Sequence, residues 1–281
     1  MKKLLIVLAV VTTMLTACDD NKDAVVTIHT EYGDMKAILY NETPLHKKNF
    51  LELAKSGRYD STIWHRIIKN FMIQGGNVNA KEGTREAEED RIPAEIVGGF
   101  YHTKGALAAA RQGDQTNPEK KSSATQFYIV HGKVWTKDEL TVDQVKLNQG
   151  ISKILSDPKF EELTKQFQEL SKARDFDAMN ELALKNKELV EQELGINLNK
   201  DFDPDRLELY TTVGGAPHLD SEYTVFGRVV EGLDVIDKIA AVETGRMDKP
   251  VKDTYMTMEI ELIPKRKITE MYGYEYPEKE K

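Results

Sequence analysis

The chain has 281 residues, 40% of them hydrophobic, which is enough for one large domain or two modest ones and too apolar for disorder to be its main state. Its formal charge of −8 argues against nucleic acid as a partner, since phosphate binding needs a basic surface. The single cysteine, Cys18, rules out an intrachain disulfide and a thiolate metal cluster, and the six histidines include no pair at metal-ligand spacing, so no metal site is expected.

Met1-Lys2-Lys3 is a short positive region, and Leu4 to Val11 is an apolar run too short to span a bilayer, so residues 1–17 read as a signal peptide. The run ends in Leu15-Thr16-Ala17-Cys18, which resembles a bacterial lipobox. That resemblance implies a mature chain starting at a lipidated Cys18, a tether over 18–24, and attachment to the cell envelope through the lipid, on the periplasmic face or the cell surface.

The β-branched run Val25 to Thr30, the turn residues Glu31 to Asp34 and the segment Met35 to Tyr40 predict an opening hairpin. Thr43-Pro44 supplies an N-cap and a first-turn proline for a helix whose apolar face is Phe50, Leu51, Leu53 and Ala54, stopped by Gly57. Short strands follow within 63–73, 105–110 and 126–130. From about Val134 to Thr212 the composition turns Lys, Glu, Leu and Gln rich. Here Phe160, Leu163, Phe167 and Leu170 repeat at helical spacing, and a further helix is expected over about 177–194, closed by Gly195. Strand-like sequence resumes at 223–230, followed by a short helix over 233–241 and a last strand over 254–263. The simplest organisation is a β domain in two parts, 25–132 and 213–265, interrupted by a helical insertion over 133–212 and followed by a charged, loosely held tail over 266–281.

Several blocks in order, Trp64-His65-Arg66-Ile67-Ile68-Lys69-Asn70-Phe71-Met72-Ile73-Gln74-Gly75-Gly76, Gly105 to Arg111, Ser123 to Ile129, Pro217 to Asp220 and Thr224 to Gly227, resemble the cyclophilins. The resemblance implies a mainly β fold, a closed eight-stranded antiparallel barrel capped by two helices, with the active face on the outside of the barrel. It also implies peptidyl-prolyl cis-trans isomerase activity on proline-containing unfolded or partly folded polypeptides, with no cofactor. Arg66, Phe71 and Gln74 fall on catalytic positions. His65, Met72, Ala110, Arg111, Gln126, Phe127, Tyr128, Leu219 and Tyr223 fall on substrate-binding positions, with Phe71, Met72, Phe127, Tyr128 and Leu219 forming the proline pocket.

Departures from the commonest family pattern are Ala109 for methionine, Tyr128 for phenylalanine, His218 for tryptophan and Tyr223 for histidine. A non-catalytic module that binds proline-containing segments, or a chaperone, stays open as the alternative reading. The insertion is expected near the rim of the active face, and the sequence does not choose among a lid, a client-binding arm and an oligomerisation surface.

Overall fold

The computed structural model describes residues 21–276, so the signal peptide, the Cys18 lipidation site and residues 277–281 lie outside the described residues. Nine strands form one antiparallel sheet: β1 (Lys22–Thr30), β2 (Gly33–Leu39), β3 (Thr62–Ile63), β4 (Arg66–Ile68), β5 (Met72–Gly75), β6 (Ala106–Arg111), β7 (Ser122–Val130), β8 (Val225–Glu231) and β9 (Tyr255–Pro264). Their spatial order is β3-β9-β1-β2-β8-β6-β7-β5-β4. β1 and β2 make the expected hairpin, with Val25 opposite Ile38 and Thr30 opposite Gly33.

The count of nine, where eight were expected, comes from the segment 62–68, which is broken at Trp64-His65. Before the break it pairs with β9, and after it with β5. The Trp64 N–H donates to the Thr254 carbonyl at 2.9 Å, and the His65 N–H donates to the Gln74 carbonyl at 3.0 Å.

The curl of the sheet encloses a core in which Phe127 is central. Its ring meets Phe50, Tyr59 and Trp64 edge-on at 5.3, 5.5 and 5.6 Å between centroids. Such geometry places ring edges against ring faces and adds about 0.5–1.5 kcal/mol per pair beyond area burial. Two helices cap this core. α1 (Pro44–Lys55) contributes Phe50, Leu53 and Ala54, and α9 (Leu233–Ala240) contributes Val235, Ile236, Ile239 and Ala240.

α1 starts differently from the sequence expectation. The Thr43 hydroxyl donates to the Tyr40 carbonyl instead of capping the helix. The Glu95 carboxylate takes the cap's place, accepting from the Leu45 and His46 N–H groups at 3.0 Å each, where a negative charge favours exposed N–H donors. The same carboxylate lies 2.6 Å from Nδ1 of His46.

After the short α2 (Val78–Glu82), the segment between β7 and β8 holds six helices: α3 (Lys137–Thr141), α4 (Gln144–Ile154), α5 (Glu161–Ala173), α6 (Phe176–Lys185), α7 (Lys187–Leu194) and α8 (Pro204–Thr212). α4 to α7 pack on a separate cluster that includes Leu147, Ile151, Phe167 and Val190. The helix expected over 177–194 is divided at Asn186, whose side-chain amide donates to the Leu182 carbonyl and so competes with the continuing ladder. Gly195 closes α7 with φ 63°, as expected.

The charged tail also needs correction over its described part. Residues 265–272 form α10 (Lys265–Tyr272), whose Ile268 is fully buried against Val25, Ile38, Ile263 and Tyr274. Among the described residues, no helix is long and apolar enough to cross a membrane.

Two outcomes follow from this packing. Ile268→Ala removes a buried side chain and is expected to lower the unfolding free energy by about 2–5 kcal/mol in a denaturant titration, and a loss below about 0.5 kcal/mol would mean the tail is not held as described. His46 has its pKa lowered by burial, with Glu95 only partly opposing this, and its Nε2 is buried without a hydrogen-bond partner. Its folded pKa lies below its unfolded one, so the stability it contributes is complete above about pH 6.5 and is lost as the pH falls through the folded value. Denaturation midpoints are expected to fall from pH 7.5 to 5.5, and to fall less in His46→Gln; an identical pH response in the two proteins would contradict this.

Candidate active site

Side chains alternate across a strand, and here that alternation separates the core from a cleft on the opposite face. Along β5, Ile73 points into the core while Met72 and Gln74 line the cleft. Along β7, Phe127 points inward and Tyr128 outward. Antiparallel pairing sets Arg66 opposite Gln74, Gln74 opposite Tyr128, and Tyr128 opposite Ala108, a row running across β4, β5, β7 and β6. Residues paired in this way lie about 4.5–5.5 Å apart, close enough for their outward side chains to act on one small group.

Local features then aim the remaining residues. Asn70 adopts φ 63°, which asparagine tolerates better than most residues, and this allows the tight turn between β4 and β5 that carries Phe71. The turn is held by the Phe71 N–H donating to the Ile68 carbonyl at 3.1 Å and by the Asn70 N–H donating to Nδ1 of His131 at 2.9 Å. A bulge between Ala109 and Arg111 re-aims the end of β6 and brings Ala110 and Arg111 to the cleft. Leu219 arrives on the short turn Pro217–Leu219, reached through Gly215. A side chain at Gly215 would come 2.2 Å from the His102 carbonyl oxygen, so only glycine lets the two backbones approach.

The resulting cleft, about 90 Å³, is lined by Arg66, Phe71, Met72, Gln74, Ala110, Arg111, Tyr128, Leu219 and Tyr223. Pockets for drug-sized ligands are typically about 300–1,000 Å³, so this one suits a single small apolar group with its backbone left outside. Arg66 is half exposed and faces Asp248 at 3.4 Å, a loose pair that leaves the guanidinium at the surface of the cleft. The Gln74 side-chain amide donates to the side-chain oxygen Oε1 of Gln126 at 3.2 Å.

Three residues expected at the site do not line the cleft. Phe127 is 1% exposed in the core, because its neighbour Tyr128 already takes the outward position on β7. Gln126 stands behind Gln74 and positions it. His65 stands beside Arg66 but off the cleft, with burial holding its pKa below the usual histidine value. Arg111 is present but committed: its Nε donates to the Glu222 carbonyl at 2.8 Å, its Nη2 pairs with the Glu222 carboxylate at 3.1 Å, and its guanidinium lies 4.4 Å from the centre of the Tyr223 ring. It braces Tyr223.

Sequence reading assigned no role to the group behind Tyr128. The Tyr128 hydroxyl lies 3.0 Å from Nε2 of His102, and Nδ1 of that ring lies 3.0 Å from the Asp220 carboxylate. Asp220 also accepts from the His102 N–H, from the Tyr210 hydroxyl at 2.7 and 2.8 Å, and from Nη2 of Arg206 at 2.7 Å. Burial alone would raise the Asp220 pKa. The donors of His102 and Tyr210 outweigh burial and hold it below the usual aspartate range. Residues 102, 128, 206, 210 and 220 carry no shared spacing, so only the fold brings them together. Asp220 stood in the sequence merely as the end of the Pro217 block.

A larger groove of about 790 Å³ runs between α4, α5 and α6, lined by Ile151, Leu155, Phe167, Phe176 and Met179 among others. Its one Lys, Arg, His, Asp or Glu lining residue is Lys172.

The comparisons with known proteins identify a family. The family model for "Cyclophilin type peptidyl-prolyl cis-trans isomerase/CLD" matches residues 25–149 and 164–260. A Streptococcus pyogenes protein whose name joins phosphatase and peptidyl-prolyl cis-trans isomerase is 31% identical over 84% of this chain, which spans 38% of that protein's length. A Staphylococcus epidermidis protein named for peptidyl-prolyl cis-trans isomerase is 28% identical over 83% of this chain and 89% of its own length. Among solved structures, a Cryptosporidium parvum cyclophilin-type isomerase aligns with a TM-score of 0.49 at 20% identity, covering 86% of this chain and 98% of its own. With a family model matched across most of its length and a relative above 30% identity, the chain belongs to the cyclophilin-type peptidyl-prolyl cis-trans isomerases.

Proposed function

We propose that the protein accelerates X-Pro isomerisation in exported polypeptides, with Arg66 stabilising the twisted amide. The observation that carries this reading is the placement of Arg66 and Gln74 beside a cleft of proline-ring size whose walls include Phe71, Met72, Tyr128 and Leu219.

The chemistry follows from amide resonance. A planar prolyl amide resists rotation by roughly 18–20 kcal/mol, and X-Pro bonds interconvert over tens to hundreds of seconds unaided. Twisting by about 90° breaks the conjugation and returns the lone pair to the prolyl nitrogen, which becomes a better hydrogen-bond acceptor. A guanidinium beside that nitrogen binds the twisted state more strongly than the planar one, and it offers several donors in a fixed fork. The apolar walls hold the ring still while the preceding carbonyl turns, and Gln74, oriented by Gln126, is available to the substrate backbone.

The cell-envelope context belongs to the same proposal. Cleavage before Cys18 and lipidation of its thiol would tether the domain outside the inner membrane, near newly exported clients. The barrel would close through the segment 62–68, which pairs with β9 at one end and β5 at the other. The helices of 133–212 would then be an insertion in a two-part domain. A second reading, capture of proline-containing segments without catalysis, draws on the apolar groove between α4, α5 and α6.

The first of two tests separates these readings, and the second tests the anchor. With a short X-Pro peptide, wild type should accelerate isomerisation and Arg66→Ala should lose about 10²–10³ of kcat/KM, the range for removing one preorganised donor. An inactive wild type, or an Arg66→Ala enzyme within two-fold of it, would refute the arginine mechanism. In a bacterial host, the full chain should fractionate with membranes and carry acyl chains on the N-terminal peptide by mass spectrometry. Cys18→Ala should abolish both, and unchanged membrane association in that variant would refute the anchor.

A further inference from the structure

We infer that Arg206 and Tyr210 of α8 are positioning residues for the isomerase cleft, acting through Asp220 and His102 on Tyr128. The inference rests on the isomerase reading above and assigns part of the active-site geometry to the helical segment.

The contacts form an unbroken line from α8 to the cleft. Arg206 donates from Nε and Nη2 to one carboxylate oxygen of Asp220 at 3.1 and 2.7 Å, and the Tyr210 hydroxyl bridges both oxygens. Asp220, whose side chain is 6% exposed, is 3.0 Å from Nδ1 of His102, and His102, fully buried, reaches the Tyr128 hydroxyl with Nε2. An ionised carboxylate only accepts, so Nδ1 must carry the proton. Nε2 then ties the Tyr128 hydroxyl to the buried side of the cleft wall, 3.0 Å away. The line thereby fixes the tilt of a residue that forms the cleft wall, with its ring stacked on His102 at 6.1 Å and meeting Tyr223 edge-on at 6.0 Å.

Arg206 also secures the loop that carries Leu219. Its Nη2 donates to the Pro217 carbonyl at 3.2 Å, and its guanidinium lies 4.7 Å from the centre of the Phe202 ring. A planar guanidinium can make the carboxylate fork, the carbonyl bond and the ring contact together, which an ammonium cannot. Neither Arg206 nor Tyr210 lines the cleft, so their effect must pass through the groups they hold.

The test is a double-mutant cycle on the full folded domain, read by isomerisation of an X-Pro peptide and by the affinity of an Ala-Pro-containing peptide in an NMR titration. Arg206→Gln and Tyr210→Phe should each lower kcat/KM and peptide affinity by at least about three-fold, within the roughly two- to thirty-fold range seen for residues that couple to a site without touching its ligand. In a Tyr128→Phe background, which keeps the ring and removes the hydroxyl, Tyr210→Phe should cost less than about two-fold, because the line then ends before the cleft. A generally loosened structure would show the same loss in both backgrounds, and that result would overturn the inference, as would single variants within two-fold of wild type. A wild type that binds the peptide without isomerising it would overturn the function and leave the positioning to be judged on affinity. A wild type that does neither would overturn both.

Discussion

Phe127 and Tyr128 are consecutive residues that must point to opposite faces of β7, and both the core and the cleft depend on that requirement. Phe127 fills the space between Phe50, Tyr59 and Trp64, so its ring sets the distance between the sheet and α1. Close packing leaves little room for adjustment: even the position after β5 must be glycine, because a side chain at Gly76 would come 2.6 Å from the Phe127 ring. With β7 fixed in register by its core face, Tyr128, Gln74 and Arg66 are carried into one row on the outer face with no freedom to slip.

The outer face obeys different physics. It is covered by a loop, 213–224, whose Ala216, Leu219 and Tyr223 pack on Met72, Ala108 and Tyr128 and whose backbone is held by hydrogen bonds. The Ala216 N–H donates to the His102 carbonyl at 2.8 Å, the Trp135 indole N–H donates to the Gly215 carbonyl at 2.9 Å, and Asp220 gathers donors from His102 and from Arg206 and Tyr210 of α8. A buried carboxylate is costly unless its lone pairs are filled, and here they are filled by donors that also define where Leu219 and Tyr128 sit. The cleft is thus made by a rigid sheet below and a polar clamp above.

Much of the fold was legible in the sequence, because the responsible signals are local. The hairpin at 22–39 shows in β-branched residues around a turn, and α9 in an apolar periodicity that ends where its buried face ends. The nine cleft residues were legible through the cyclophilin resemblance, since their spacing alone describes ordinary core and surface positions. Elsewhere the signal was distributed. The Phe127 assignment failed because an apolar residue beside a site residue reads the same on either face until the strand register is known. Glu95, the actual cap of α1, lies about fifty residues from the helix it serves. The tail was misread from its charges, although Ile268 and Tyr274 are what bind it to Val25 and Ile38. The polar clamp at Asp220 joins positions more than a hundred residues apart, with no periodicity to reveal it.

The central claim is that the small outer cleft, and not the larger helical groove, is where a prolyl bond is turned. Exchange NMR on an isotope-labelled Ala-Pro peptide with a substoichiometric amount of the protein tests this directly, combined with mapping of the amide shifts the peptide causes. The account predicts cis-trans exchange cross-peaks that the free peptide lacks, with shifts concentrated at Arg66, Phe71, Gln74, Tyr128 and Leu219. Absence of exchange, or shifts concentrated on α4 to α6 with these residues unmoved, would contradict it.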